Sequence, residues 1–221
     1  ITVTKLPLPT ISSEVVELCL NEVATGLIAT SVPGATLNWY ASSTGTETIS
    51  NVPVTNAVGN KIYYVSQSKD GCESDRKGVT VTVKVATPAP TITALRPVCV
   101  GEPVTSATIL SAATGTGTKL WYTSLTEGKP ITLGVPNTSK ADTIVYYVSQ
   151  VINNCESTPR SRVTLEVKAL PVAPTVAPVE YCKDATNAVA LTAVGTGTNA
   201  IKWYTVATAG TALAAAPKPA T

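Results

Sequence analysis

The chain of 221 residues has no histidine and no methionine, and only 14% of it is charged. Each shortage removes a class of function. Without histidine the most common proton-transfer group is gone, along with the usual partner of cysteine in a metal site. The acidic residues are few and mostly isolated, so neither an acid–base pair nor a calcium cage is assembled along the sequence. A net charge of +2 with singly scattered lysines leaves no basic field for nucleic acid or an anionic membrane. No uninterrupted apolar run is long enough to span a bilayer, so no direct membrane span is expected. The lack of a methionine start or a signal peptide suggests a section of a longer protein.

What is abundant is Thr, Val, Ala and Ser, with 16 prolines and 14 glycines, a composition of short strands joined by turns. Trp-Tyr occurs at Trp39-Tyr40, Trp121-Tyr122 and Trp203-Tyr204, in two equal steps of 82 residues. A fixed step of that size marks an array of one repeated unit. Tyr63-Tyr64-Val65-Ser66-Gln67 returns as Tyr146-Tyr147-Val148-Ser149-Gln150, and Cys72-Glu73-Ser74 as Cys155-Glu156-Ser157. Proline-rich joints begin at Pro7, Pro88 and Pro171. They divide the chain into the last strand of a preceding repeat (1–6), repeat one (7–87), repeat two (88–170) and the first half of repeat three (171–221).

Five cysteines fall at repeat-equivalent positions, and no C-x-x-C pair suggests a zinc or redox site. A disulfide inside each complete repeat, Cys19–Cys72 and Cys99–Cys155, is the expected pattern for a secreted repeat. The alternative is a bond across the joint, Cys72–Cys99, leaving Cys19 and Cys155 to neighbouring units. Cys182 has no partner inside its own half repeat. Either pattern places the protein outside the cytoplasm.

Within a repeat, Val79, Val81, Val83 and Val85 alternate with polar residues, as do Val163, Leu165 and Val167, so each run reads as a strand with one buried face. The Tyr-Tyr strand before it joins through a turn at Lys69-Asp70-Gly71 or Asn153-Asn154, predicting a β-hairpin. Alternation puts Trp39, Trp121 and Trp203 in the core, and leaves Tyr40, Tyr122 and Tyr63 outward. A further strand is expected at Gly26–Ala29, matched by Val189–Ala193. The expected fold class is all-β: tandem immunoglobulin-like antiparallel β-sandwiches.

Cysteine, then Trp-Tyr about twenty residues on, then Tyr-Tyr-Val-Ser-Gln and Cys-Glu-Ser followed by arginine resembles the immunoglobulin-like repeat of very large Bacteroidota surface proteins. The resemblance implies a tandem stalk in gliding-motility or other secreted adhesins, or in multidomain polysaccharide-degrading enzymes, many exported by the type 9 secretion system. It implies an extracellular, cell-surface location. The implied partners are neighbouring repeats, a surface polysaccharide, or an outer-membrane anchoring or secretion protein. The cysteines depart from antibody-type domains: Cys19, Cys99 and Cys182 precede their tryptophans by 20, 22 and 21 residues. The bond is therefore expected at one end of the sandwich.

No cofactor, metal or catalytic residue is expected, and the chain reads as a non-enzyme. Glu73 and Glu156, near Arg76, Arg160 and Arg162, are read as cross-strand ion pairs near the disulfide. Gly115-Thr116-Gly117 and Gly195-Thr196-Gly197 are turns, since no helix follows to hold a phosphate. Tyr40, Tyr122 and Tyr63 are the candidate carbohydrate contacts. Asp142-Thr143-Ile144 resembles a Bacteroidota O-glycosylation acceptor, which marks Thr143.

Overall fold

The computed structural model describes residues 5–184, 186, 188–198 and 200–219. Residues 1–4, the bulk of the strand assigned to a preceding repeat, lie outside them. By internal contacts the chain parts into two compact units. One holds Ile1–Leu95, Thr105–Val135 and Val145–Thr164; the other holds Arg96–Val104, Pro136–Ile144 and Leu165–Thr221. This division cuts across the sequence repeats, because the first unit takes in the first repeat and the middle of the second.

In the first repeat, β1 (Thr10–Ile11) pairs with β3 (Ala29–Thr30). The main sheet runs β2 (Val15–Cys19), β7 (Lys77–Lys84), β5 (Gly59–Lys69), β4 (Thr36–Tyr40), with β6 (Cys72–Glu73) added beside β5. Valines at every second position of β7 turn inward. They form a core with Leu27, Trp39, Tyr63 and Val65, onto which Ile11, Val16, Leu18 and Leu37 pack. Asp70 and Gly71 both have positive φ, at 53° and 77°, the geometry of a two-residue turn whose twist suits a hairpin.

The second repeat copies this plan. Here β8 (Thr91–Ile92) pairs with β10 (Ala113–Thr114), and the sheet runs β11 (Thr118–Tyr122), β12 (Asp142–Ile152), β14 (Ser161–Lys168), β9 (Val98–Cys99), with β13 (Cys155–Glu156) beside β12. The turn before β11 needs its glycine, since a Cβ on Gly117 would lie 2.6 Å from the Val151 carbonyl oxygen. In the third segment β15 (Thr175–Val176) pairs with β16 (Ala193–Val194), matching β1 with β3 and β8 with β10. The repeat also shows in one backbone bond. Ile49, Ile131 and Leu213 each donate to the carbonyl of the tryptophan ten residues earlier, all at 2.8 Å.

Three expectations are corrected. The sheets are mixed rather than antiparallel: β2 runs parallel to β7, and β9 parallel to β14. The front strand crosses the repeat and lies along the outer edge of the final strand, in the same direction. The strand expected at Gly26–Ala29 is reduced to Ala29–Thr30. Its counterpart in repeat two is preceded by a one-turn helix, α1 (Ser106–Leu110), which seats Ile109 in the core with no exposed surface. The Val189–Ala193 run likewise reduces to Ala193–Val194.

Candidate functional site

The Tyr-Glu-Arg group of each repeat is built on the sheet face opposite the tryptophan. Because Trp39 pairs with Val65, the next residues across the ladder, Tyr40 and Tyr64, turn to the other side. Tyr40 donates its hydroxyl to Glu73 at 2.7 Å, Ser66 donates to the same carboxylate, and the Arg76 guanidinium lies 3.4 Å from the Tyr40 ring centre. In repeat two Tyr122 and Ser149 donate to Glu156 at 2.7 and 2.6 Å, and Arg160 covers the Tyr122 ring at 3.2 Å.

These contacts shift the titration of three of the groups, Glu73, Tyr40 and Tyr122. Hydroxyl donors from Ser66 and Tyr40, with the nearby Arg76, hold the Glu73 carboxyl below its usual range. The Glu73 carboxylate, then burial, pushes the Tyr40 phenol up. For Tyr122 burial acts first and Glu156 second, in the same direction. Every polar group has a partner within the cluster or on a neighbouring carbonyl: Arg76 donates to Ser42, and Arg160 to Ser124 and Glu127. Of the two expected ion pairs, Glu156 and Arg160 stand 3.9 Å apart, whereas Arg76 is not within ion-pair distance of Glu73 and instead donates to the Ser42 carbonyl and covers the Tyr40 ring.

Tyr40, Tyr122 and Tyr63 are therefore not outward carbohydrate contacts. They are 5%, 2% and 2% exposed. The Tyr40 and Tyr122 rings lie beneath arginine, and Tyr63 shares the inner face with Val65 and accepts a bond from the Val54 amide at 3.1 Å. Trp39 and Trp121 are buried as expected, but Trp203 is only partly so. Thr143 is exposed at the start of β12. Among the described residues no group of three or more Asp, Glu or Cys gathers to hold a metal ion.

The buried Gln67 and Gln150 close each repeat onto its own proline joint. Gln67 donates to the Pro7 carbonyl at 2.7 Å and accepts from the Val32 amide at 2.7 Å; Gln150 donates to Pro88 at 2.8 Å and accepts from Gly117 at 3.1 Å. The recurring Tyr-Tyr-Val-Ser-Gln motif signalled that these glutamines matter. Nothing in the linear sequence named their partners.

The cysteines are joined differently from either expectation. The bond is Cys19–Cys155, across 136 residues, and Cys72, Cys99 and Cys182 are free and exposed. The in-repeat pairs Cys19–Cys72 and Cys99–Cys155 are absent, and so is Cys72–Cys99. The reason lies in the parallel front strand. Cys19 pairs in register with Lys84, at the end of the repeat where the chain leaves, whereas Cys72 follows the hairpin turn after Lys69. The hairpin turn of the second repeat meets Cys19 there. Thr87 in the joint donates to the Cys155 carbonyl at 2.8 Å, and Lys84 donates to the Asn153 carbonyl at 3.0 Å and to Glu17 at 2.6 Å. Cys19, Cys155, Glu17, Lys84, Thr87 and Asn153 all belong to the first compact unit.

Mixed sheets with a short paired flap, twice over, define tandem immunoglobulin-like domains. The chain belongs to the family described as "Ig-like domain CHU_C associated", whose model matches residues 7–84 and 88–168. No curated protein matches it. Among solved structures, fibronectin(III)-like modules of Clostridium thermocellum CbhA are 18% identical with a TM-score of 0.40, over 73% of this chain and 95% of that one. A chimeric titin Z1Z2 is 13% identical with a TM-score of 0.34, over 76% and 99%. Human mucin-like protocadherin EC1-2 is 15% identical with a TM-score of 0.28, over 73% and 98%. Tandem domains of this kind fit a structural repeat of a cell-surface protein, and a disulfide fits an extracellular one. Among the described residues no helix is long and apolar enough to cross a membrane.

Proposed function

We propose that this chain is a load-bearing stalk section of a long secreted surface adhesin, serving surface attachment or gliding, and that it has no catalytic role. One observation carries the reading: the Cys19–Cys155 bond closes a covalent loop over 136 residues, spanning the joint. Tension applied to the two ends passes through the sulfurs. The residues inside the loop are shielded, so an unfolding event there adds no length. The charged groups nearest the hairpins, Glu73, Glu156, Arg76 and Arg160, hydrogen-bond within their own repeats, which supports a structural role for them.

Stretching single molecules by their ends tests this reading. At about 3.4 Å per residue, the shielded segment amounts to about 460 Å of contour length, which appears only after reduction. Equal extension with and without reductant would remove the mechanical argument. In cells, replacing Cys19 and Cys155 by serine in the natural protein is expected to weaken attachment under flow while leaving static adhesion intact. Unchanged resistance to flow contradicts the stalk role.

A further inference from the structure

Two of the three free cysteines, Cys99 and Cys72, sit in backbone surroundings that match those of the bonded pair, and Cys182 shares one feature of them. Cys19 and Cys99 each end a front strand parallel to the repeat's final strand, in register with Lys84 and Lys168. Each has its amide capped by a glutamate three residues on, Glu22 at 2.7 Å and Glu102 at 3.1 Å. The following residue donates to the same strand-end carbonyl, Leu20 to Lys84 at 3.1 Å and Val100 to Lys168 at 2.9 Å. Two residues after each front cysteine the backbone turns to positive φ, at Asn21 (63°), Gly101 (80°) and Asp184 (62°), which brings Cys182 into the set. On the hairpin side, Cys72 and Cys155 both follow a two-residue turn of positive φ and pair with the residue before it, Lys69 and Ile152.

One front cysteine and one hairpin cysteine are joined in this chain, and they belong to successive repeats. The front cysteine comes from the earlier repeat and the hairpin cysteine from the later one. We propose that this is the rule of the array: each front cysteine bonds the hairpin cysteine of the next repeat, giving a ladder of overlapping covalent loops. Under that rule Cys99 and Cys182 take hairpin cysteines of repeats that follow, and Cys72 takes the front cysteine of a repeat that precedes. None of the three can satisfy another. Two are front cysteines, and Cys72 lies in the repeat before Cys99 rather than after it. All three are exposed, while Cys155 is buried. Formation of each rung takes two protons and two electrons from a pair of thiols. The acceptor is a disulfide-bearing thiol oxidant, which leaves as two thiols.

The ladder stands on the matched backbone geometry and does not depend on the stalk reading. The natural protein, taken from its source with thiols blocked and digested without reduction, tests it by mass spectrometry. The Cys72, Cys99 and Cys182 peptides are expected each to be linked to a peptide lying outside residues 1–221. The partner of Cys99 should carry a hairpin-type Cys-Glu-Ser-like sequence. A bond between any two of these three cysteines, or three free thiols, overturns the proposal; so does linkage to a second copy, seen as a dimer on a non-reducing gel. As a second arm, the 221-residue chain held in oxidised glutathione is expected to keep Cys19–Cys155 and add one glutathione at each of the three other cysteines. An intrachain Cys72–Cys99 bond there is equally fatal.

Discussion

Removing the Cys19–Cys155 bond is the most demanding perturbation. In the chain-entropy treatment, closing a loop of about 136 residues restricts the fully unfolded chain by about 5 kcal/mol. The two repeats, however, need not unfold together. If only the first repeat opens, the folded second repeat still holds Cys155 beside the joint. The restricted loop then runs from Cys19 to Thr87, about 70 residues, and the effect is about 4 kcal/mol. Opening only the second repeat closes a loop of similar length from the joint to Cys155, with a similar effect. Both repeats should thus lose about 4 kcal/mol in a Cys19→Ser, Cys155→Ser variant, and for domains of this size about 20 °C of Tm. The assay is urea and thermal unfolding followed by circular dichroism, with Cys72, Cys99 and Cys182 changed to serine in both arms to prevent exchange. A loss under about 1 kcal/mol in both transitions would refute the reasoning, because a bond spanning the joint must restrict whichever repeat unfolds. Loss confined to one repeat would place the constraint inside that repeat.

Gln67→Ala and Gln150→Ala each strand a proline carbonyl and a turn amide, and are expected to cost about 2–4 kcal/mol in urea unfolding. Glu73 has a folded pKa below its unfolded one, so its contribution is present above the ordinary carboxylate range and disappears as pH falls through the lowered value. The stability gap between the parent chain and Glu73→Gln, followed as urea midpoint against pH, should therefore shrink on acidification and stay flat above about pH 6. The Tyr40 and Tyr122 phenols are expected to ionise above their usual pH in an absorbance titration at alkaline pH. Trp39→Ala should cost about 3–5 kcal/mol, whereas Trp203→Ala, at a partly exposed site, should cost far less by the same unfolding assay. A peptide mass map of naturally produced protein is expected to show a hexose-bearing glycan on exposed Thr143.

The repeat, the hairpins and the burial of Trp39 and Trp121 were legible because each is written locally, as a fixed step or a two-residue alternation. Alternation failed for the tyrosines for a specific reason. It separates two faces of a strand without saying that both are covered, and in β4 the second face is roofed by Arg76 reaching over from beyond β6. Tyr63 was assigned to the wrong face. Its register against Val79 places it with Val65 in the core. The disulfide could not be read at all, because the cysteine spacings suit several pairings. The choice is made by the parallel course of β2 and β9, which carries each front cysteine to the exit end of its repeat. Parallel pairing between strands more than sixty residues apart leaves no mark in either strand's own sequence. The bridging roles of Gln67 and Thr87 were hidden likewise, since their partners are backbone atoms.

The most direct measurement is a non-reducing peptide map of the freshly purified, thiol-blocked 221-residue chain. A bond spanning successive repeats predicts one linked species joining the Cys19 and Cys155 peptides, with blocked thiols at Cys72, Cys99 and Cys182. Two linked species, Cys19 with Cys72 and Cys99 with Cys155, would contradict it and return each repeat to a self-contained module.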